Sequence, residues 1–156
     1  MIALEEGFDV PATPRTVWAV LSDPHQVVPC VPGAQLGDQQ ADGSFDTTVG
    51  VKFGPTRVTF RTRVALELED ATMHGRMTAQ GRDALGGARV QASATFDVEE
   101  VPGQPGAHVA ITGQVDISGR LASLIESGAS AVVRRMSAEF ATALAERCAA
   151  GTARQQ

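Results

Sequence analysis

The chain has 156 residues, a formal net charge of −5 and only 4% aromatic residues, with no tyrosine. A chain of this length is ordinary for one domain that buries its own core. The acidic balance argues against sequence-independent nucleic-acid binding, which depends on the neutralisation of phosphates. The scarcity of aromatic residues argues against a stacking platform for single-stranded nucleic acid. We therefore expect no nucleic-acid partner.

The sequence also carries few signs of a membrane or secreted protein. Neither end has a secretory signal pattern, and no apolar run approaches the ~20 residues that a membrane-spanning helix needs. Cys30 and Cys148 form no disulfide framework and suit a reducing compartment, although one bridge between them stays open. These features predict a cytoplasmic protein with a single domain over residues 1–150 and a frayed tail over 151–156.

The first elements are a strand and two short helices. Apolar residues alternate with polar ones from Ile2 to Phe8, which predicts a strand over residues 2–10. Thr13 followed by a proline is typical of a helix start. The segment 14–30, interrupted by a further proline, is therefore predicted to hold two short helical turns.

Alternation with a period of two then dominates the middle of the chain. Apolar residues occupy one face and polar residues the other in the stretches 45–53, 58–68, 73–80, 90–98 and 109–117. Turn residues separate these stretches. The pattern is typical of an antiparallel meander that is covered on one side. We expect a sheet of seven antiparallel strands.

A long helix is predicted near residues 120–148. Its apolar stripe recurs at three- and four-residue steps and consists of Leu121, Leu124, Ile125, Gly128, Val132, Met136, Phe140 and Leu144. A helix of this length crosses a whole sheet, because each residue adds about 1.5 Å. The sequence therefore predicts an α+β fold in which a curved sheet wraps around the final helix.

Several short blocks carry a resemblance to a known family. They are Phe8-Asp9-Val10-Pro11-Ala12 with Val17-Trp18, Leu21-Ser22-Asp23-Pro24, Val31-Pro32-Gly33-Ala34, Val51-Lys52-Phe53-Gly54-Pro55, Gly81-Arg82-Asp83-Ala84-Leu85-Gly86-Gly87 and Gly119-Arg120-Leu121-Ala122. With these blocks the chain resembles the START-like (SRPBCC) helix-grip superfamily, and within it the family of the G subunit of carbon monoxide dehydrogenase. The Pro-Gly-Ala and Lys-Phe-Gly-Pro blocks narrow the resemblance to that family.

The resemblance implies a non-catalytic accessory protein for a molybdenum hydroxylase of the carbon monoxide dehydrogenase type. Its pocket would hold an apolar, ring-bearing molecule such as a quinone, with no covalently bound cofactor. Some members of the family extend past the final helix into a membrane-binding tail, whereas this sequence ends at Gln156. We therefore expect membrane contact to be peripheral at most.

The predicted pocket lies between the sheet and the final helix. Its expected ligand-binding residues are Val27, Val28, Phe60, Val64, Met73, Met77, Phe96, Ile111, Leu124, Gly128 and Val132. Small residues at positions 75, 79, 92, 94, 113 and 128 can leave a ligand-sized void, or they can let the helix approach the sheet closely. The alternative for each of these residues is an ordinary packed core, and Trp18 is expected to be a core anchor.

The sequence favours a binding protein over an enzyme. His74 and His108 lie on the outward parity of their strands, which predicts no metal site, and the same parity holds for Asp46, Glu67, Asp97 and Asp116. Two alternatives remain: a polyketide cyclase-like or hydrolase-like enzyme that uses the same cavity, and a protein-interaction module without a cavity. An inward acid or histidine would favour the enzyme, and a filled core would favour the module.

Two further features lie outside the predicted pocket. Asp83 with Gly86 and Gly87 is expected to form a turn. A basic stripe on the outer face would contain Arg57, Arg61, Arg63, Arg76 and Arg89. Such a stripe is usually solvated, and the alternative is docking to an acidic partner or an anionic membrane.

Overall fold

The computed structural model describes residues 2–53 and 55–154, with the backbone alone from residue 150 onward. The strands are β1 (Ile2–Val10), β2 (Ala34–Gln39), β3 (Phe45–Phe53), β4 (Thr56–Glu69), β5 (His74–Asp83), β6 (Arg89–Glu100) and β7 (Ala107–Ser118). The helices are α1 (Pro14–Leu21), α2 (Pro24–Val27) and α3 (Ala122–Arg154), and a 3₁₀ turn (Val28–Cys30) follows α2.

The sheet confirms the predicted topology. Its seven strands run in the order β1-β7-β6-β5-β4-β3-β2, and every neighbouring pair is antiparallel. Strands β2 to β7 form a meander, and β1 joins the far side by pairing with β7. The helix-grip arrangement follows, because the two short helices lie between β1 and β2 and α3 follows β7.

The short helices begin where the sequence predicts them. The backbone N–H of Thr16 donates to Thr13 Oγ1, which caps α1, and the N–H of His25 donates to Asp23 Oδ1, which caps α2. Trp18 on α1 is only 4% exposed. Its indole N–H donates to Asp70 Oδ1 at 2.9 Å, so Trp18 is the core anchor that was expected.

Helix α3 is longer than the sequence pattern suggests. It contains 33 residues and continues to Arg154, past the end predicted near residue 148. The alanines near its end favour helix, which accounts for the extension. Gln155 and Gln156 lie outside the described residues. Within 2–53 and 55–154, no helix combines the length and the hydropathy of a membrane span.

Buried side chains form three separate clusters. One cluster contains Leu144 from the C-terminal half of α3 and is called the C-terminal cluster; it also includes Val10, Val17, Trp18 and Val109. A second contains Ile125 and Val132 from the N-terminal half of α3 and is called the N-terminal cluster; it also includes Phe53, Val58 and Phe60. The edge cluster includes Val28, Phe45, Val64 and Ala79. The first two lie under opposite halves of α3, so the core is divided.

Both cysteines are buried thiols. Cys148 on α3 is 0% exposed and Cys30 in the 3₁₀ turn is 3% exposed. Burial, followed by the nearby Cys30, raises the pKa of the Cys148 thiol to about 11. Burial also raises the pKa of Cys30, although Arg147 partly opposes this.

The free energy of unfolding should fall as the pH rises from 9 to 11. The ordinary pKa of the thiol is 9.0, so the unfolded chain loses the Cys148 proton in this interval while the folded protein keeps it. Below pH 9 both states are protonated and the stabilisation is fully present. We expect a loss of about 2 kcal/mol from this group, measured by urea titrations at each pH.

Cys148→Ala is the control for this titration, because it removes the group and should flatten the pH dependence. Alkylation by iodoacetamide at pH 8 should also be far slower in the folded protein than in urea, since the thiolate is the reacting form. Equal alkylation rates in the two states would contradict the raised pKa.

Candidate functional site

Helix α3 bridges the middle of the sheet. Its backbone comes closest to α1, the 3₁₀ turn, β1, β3 and β7 among the described residues. Its side chains Ile125 and Val132 also pack with Phe60 of β4. The space beneath α3 is called the hollow here. Inward-facing side chains that remain partly accessible around it are Val49, Leu66, Met77, Val90, Ala92, Ala94, Phe96, Ile111 and Val115. This partly accessible apolar inner face is the surface that a ligand beneath α3 would contact.

Small side chains form the floor of the hollow. Ala92 lies directly opposite Ala79 on one side and Val115 on the other, and Ala94 lies opposite Met77 and Gly113. Small groups therefore meet across three neighbouring strands. Cross-strand neighbours stand only about 5 Å apart. The small side chains are therefore adjacent, and together they leave one lower region in the inner surface of the sheet.

The small residues do not all leave room. A Cβ at Gly75 would collide with the ring of Phe96, so that ring already lies over Gly75. A Cβ at Gly113 would come within 2.6 Å of Ser93 O, which shows close strand packing. At Gly128 the same atom would lie 3.5 Å from Phe53 Cδ1 and 4.0 Å from Phe53 Cβ, which are ordinary van der Waals contacts. A methyl group therefore fits at Gly128 without a collision.

The predicted ligand residues divide into two groups. Those that are partly exposed near the hollow are Val27, Met73, Met77, Phe96, Ile111 and Gly128. Those that are buried in the clusters are Val28, Phe60, Val64 and Val132. The second group shapes the walls and the ends of the hollow. Contact of either group with a ligand stays a prediction.

Two residues differ from the sequence pattern. Leu124 is 39% exposed and lies at the margin of the inward stripe, because it is rotated by about 100° from the buried Ile125. Its assignment to the inward row is therefore corrected. Met73 lies in the turn before β5 with a φ of 52°, and its side chain packs against the C-terminal cluster.

Few polar groups face inward. The Thr47 hydroxyl is buried without a hydrogen-bond partner among the described residues, and Thr62 Oγ1 donates to Thr47 O at 3.0 Å. Asp83 is 4% exposed and accepts from the N–H of Gly87 at 3.2 Å. Its carboxylate therefore closes the turn after β5, as expected.

Sequence reasoning missed Glu6. Burial along β1 alternates, and Glu6 shares the half-buried inward face with Leu4 and Phe8. It lies directly opposite Ile111 on β7, near the hollow. The alternation along β1 already places Glu6 on the inward face, but the carboxylates named as candidates all lie at outward positions of their strands.

The histidines on the strands face outward, as expected. His74 Nδ1 lies 2.6 Å from Asp97 Oδ1, and His108 Nδ1 lies 2.7 Å from Asp9 Oδ1. Each pair joins two strands on the outer face. Within the described ranges, no group of three or more metal-binding side chains comes together.

Two glycine substitutions test the space around the hollow. Gly128→Ala should raise the free energy of unfolding by about 0.5–1 kcal/mol, because alanine favours helix and its Cβ makes an ordinary contact. Gly81→Ala is the matched contrast on β5, since its Cβ would come within 2.7 Å of Thr62 Cα. We expect it to destabilise by about 1–3 kcal/mol. Urea unfolding that reversed this order would contradict the fit of a methyl group at Gly128.

Comparison with known proteins agrees with this architecture. A conserved protein from Geobacillus kaustophilus matches with a TM-score of 0.81 and 15% identity, covering 95% of each chain. An aromatase/cyclase from Streptomyces sp. R1128 matches with a TM-score of 0.63 and 15% identity over 94% of this chain and 92% of that one. A START superfamily protein from Mycobacterium smegmatis gives a TM-score of 0.57 and 16% identity, over 94% and 96% of the two chains.

Such identities establish the fold alone, which is the START-like helix-grip fold. No curated protein matches the sequence. The family model for the G subunit of carbon monoxide dehydrogenase (CoxG) matches residues 7–149. Because this match spans nearly the whole sheet and most of α3, the chain belongs to the CoxG family of carbon monoxide dehydrogenase subunits.

Proposed function

We propose that the protein binds an apolar, ring-bearing small molecule, a quinone, in the hollow beneath α3. In this proposal it acts as a non-catalytic accessory subunit of a molybdenum hydroxylase of the carbon monoxide dehydrogenase type. The observation that carries the proposal is the partly accessible apolar inner face of β4, β5 and β6, which the backbone of α3 approaches less closely than it approaches β1, β3 and β7.

The chemistry of the hollow suits such a ligand. Alanine, valine, methionine and phenylalanine side chains surround it, and transfer of a ring from water to such surfaces is favourable. Met77 and Met136 have flexible thioethers that adapt to a ligand. The Thr47 hydroxyl, which has no partner among the described residues, could donate a hydrogen bond to a quinone carbonyl after a small side-chain movement.

Family membership supports the accessory role. The matching family is named as a subunit of carbon monoxide dehydrogenase, an enzyme that releases electrons when it oxidises its substrate. A quinone accepts two electrons and two protons to become a quinol. A protein that holds a quinone in an apolar hollow could therefore bring the electron acceptor to the enzyme.

Extraction tests the ligand directly. Purified protein would be extracted with organic solvent and analysed by mass spectrometry, and the delipidated protein would be titrated with menaquinone and ubiquinone analogues. We expect a recovered quinone or a rise in the melting temperature that saturates with added analogue. If neither is observed, quinone binding by this chain is refuted.

Ala92→Phe should fill the floor of the hollow. We expect quinone affinity to fall at least tenfold while the free energy of unfolding changes by less than about 1 kcal/mol, because the new ring occupies existing space. Ala65→Phe is the control, because Ala65 is exposed on the outer face of β4 and should leave affinity unchanged. A loss of about 1–3 kcal/mol in Ala92→Phe would instead indicate a filled core.

Glu6 favours a second candidate, a cyclase-like or hydrolase-like enzyme that uses the same space. Its side chain is half-buried on the inward face of β1, opposite Ile111, and a carboxylate there could act as a general acid or base. The protein would be incubated with poly-β-ketothioester mimics and activated esters, with product detection by mass spectrometry. Turnover that disappears in Glu6→Gln would establish the enzyme. Quinone binding that Glu6→Gln leaves intact, without turnover, would support the accessory protein.

A further inference from the structure

The outer face of the sheet carries a row of three arginines that the register of the strands brings together. Arg61 on β4 lies directly opposite Arg82 on β5, and Arg82 lies directly opposite Arg89 on β6. Thr48 on β3 extends the row at one end, and Ser118 on β7 extends it at the other. This set is called the arginine row here.

The arginine row lies in a depression of about 980 Å³ on the outer face. Its polar lining also includes Asp46, Arg63, Gln80, Gln91 and Asp116, which form the next cross-strand row. The lining of the depression thus contains four arginines and two aspartates, on a protein whose formal net charge is −5. The depression is a local concentration of positive charge.

The three arginines lack compensation by the protein itself. Arg63 forms an ion pair with Asp46 at 3.2 Å. In the described ranges, by contrast, Arg61, Arg82 and Arg89 form no ion pair with a carboxylate. Like charges directly opposite one another destabilise a sheet. A bound anion would offset that repulsion.

We propose that the arginine row binds a small molecule that carries a di- or triphosphate group. The row spans two strand spacings, about 10 Å, a distance across which the long arginine side chains can converge on such a group. Guanidinium groups bind phosphate oxygens through paired hydrogen bonds. The hydroxyls of Thr48 and Ser118 and the amides of Gln80 and Gln91 supply further donors along the rows.

The shape and charge of this face favour a small ligand over a membrane. The arginines lie in a concave region, which a flat bilayer contacts poorly. The other end of the same face carries the exposed acids Glu67, Glu69 and Glu99, and an anionic membrane that covered the whole face would be repelled there. The site is separate from the hollow, because it lies on the opposite side of the sheet.

Calorimetry at low salt with inorganic triphosphate and with ATP tests the proposal. We expect saturable binding to the wild-type chain, about tenfold weaker in Arg82→Gln and lost in the triple variant R61Q/R82Q/R89Q. Arg82→Lys should be intermediate, since lysine keeps the charge without the paired donors. Arg76→Gln is the control, because Arg76 is exposed on the same face of β5 but lies three rows away, and it should bind like wild type.

The melting temperature gives a second, independent readout. Without ligand at low salt, Arg82→Gln should melt about 1–3 °C higher than wild type, because the substitution removes the repulsion of Arg82 by Arg61 and by Arg89. Triphosphate should raise the melting temperature of wild type but not that of the triple variant. Far-ultraviolet circular dichroism confirms that each variant is folded.

Three outcomes would overturn the proposal. The first is the absence of saturable binding of triphosphate or ATP. The second is binding that the row variants and Arg76→Gln reduce equally, which would indicate a general charge effect. The third is binding only to vesicles of phosphatidylglycerol, weakened by the row variants, which would identify a membrane-docking surface. None of these probes uses a quinone, so the result is independent of the quinone proposal.

Discussion

The way in which α3 packs against the sheet is the constraint on which the other features depend. The helix anchors one end against α1 and β1 through Leu144 and its neighbours, and the other end against β3 through Ile125 and Val132. On the sheet beneath the helix, Ala92 and Ala94 of β6 contribute little side-chain volume to the inner face. Each of the two packed clusters secures one half of the helix, so a partly accessible inner face can persist beside them.

The two faces of the sheet have different chemistries because neighbouring residues on a strand point in opposite directions. On β5, Met77 and Ala79 face the hollow, while Gln80 and Arg82 face the outer depression. A ligand on one face therefore makes no contact with side chains of the other. The same alternation allows an apolar hollow and a cationic depression to exist on a few shared strands of an acidic protein.

Periodicity made most of the fold predictable from the sequence. Alternation identified six of the strands, and the three- and four-residue stripe identified α3, because burial on one face constrains those residues strongly. Strand β2 gave little signal, since Leu36 is its main inward apolar residue and its outer half is polar. The end of α3 was also missed, because helix propensity extends past the last buried residue.

The functional surfaces were harder to predict, because register decides which residues become neighbours. The sequence indicated a general basic stripe, but Arg82 was not included in it, and nothing in the pattern placed Arg82 between Arg61 and Arg89. Glu6 was detectable from parity alone, yet its proximity to Ile111 depends on the pairing of β1 with β7. Likewise, Gly75 and Gly128 look equivalent as small residues, but the ring of Phe96 fills the space over Gly75, whereas a methyl group beside Gly128 would make only ordinary contacts with Phe53. Volume within this core is therefore decided by contacts between strands, which residue size in the sequence does not encode.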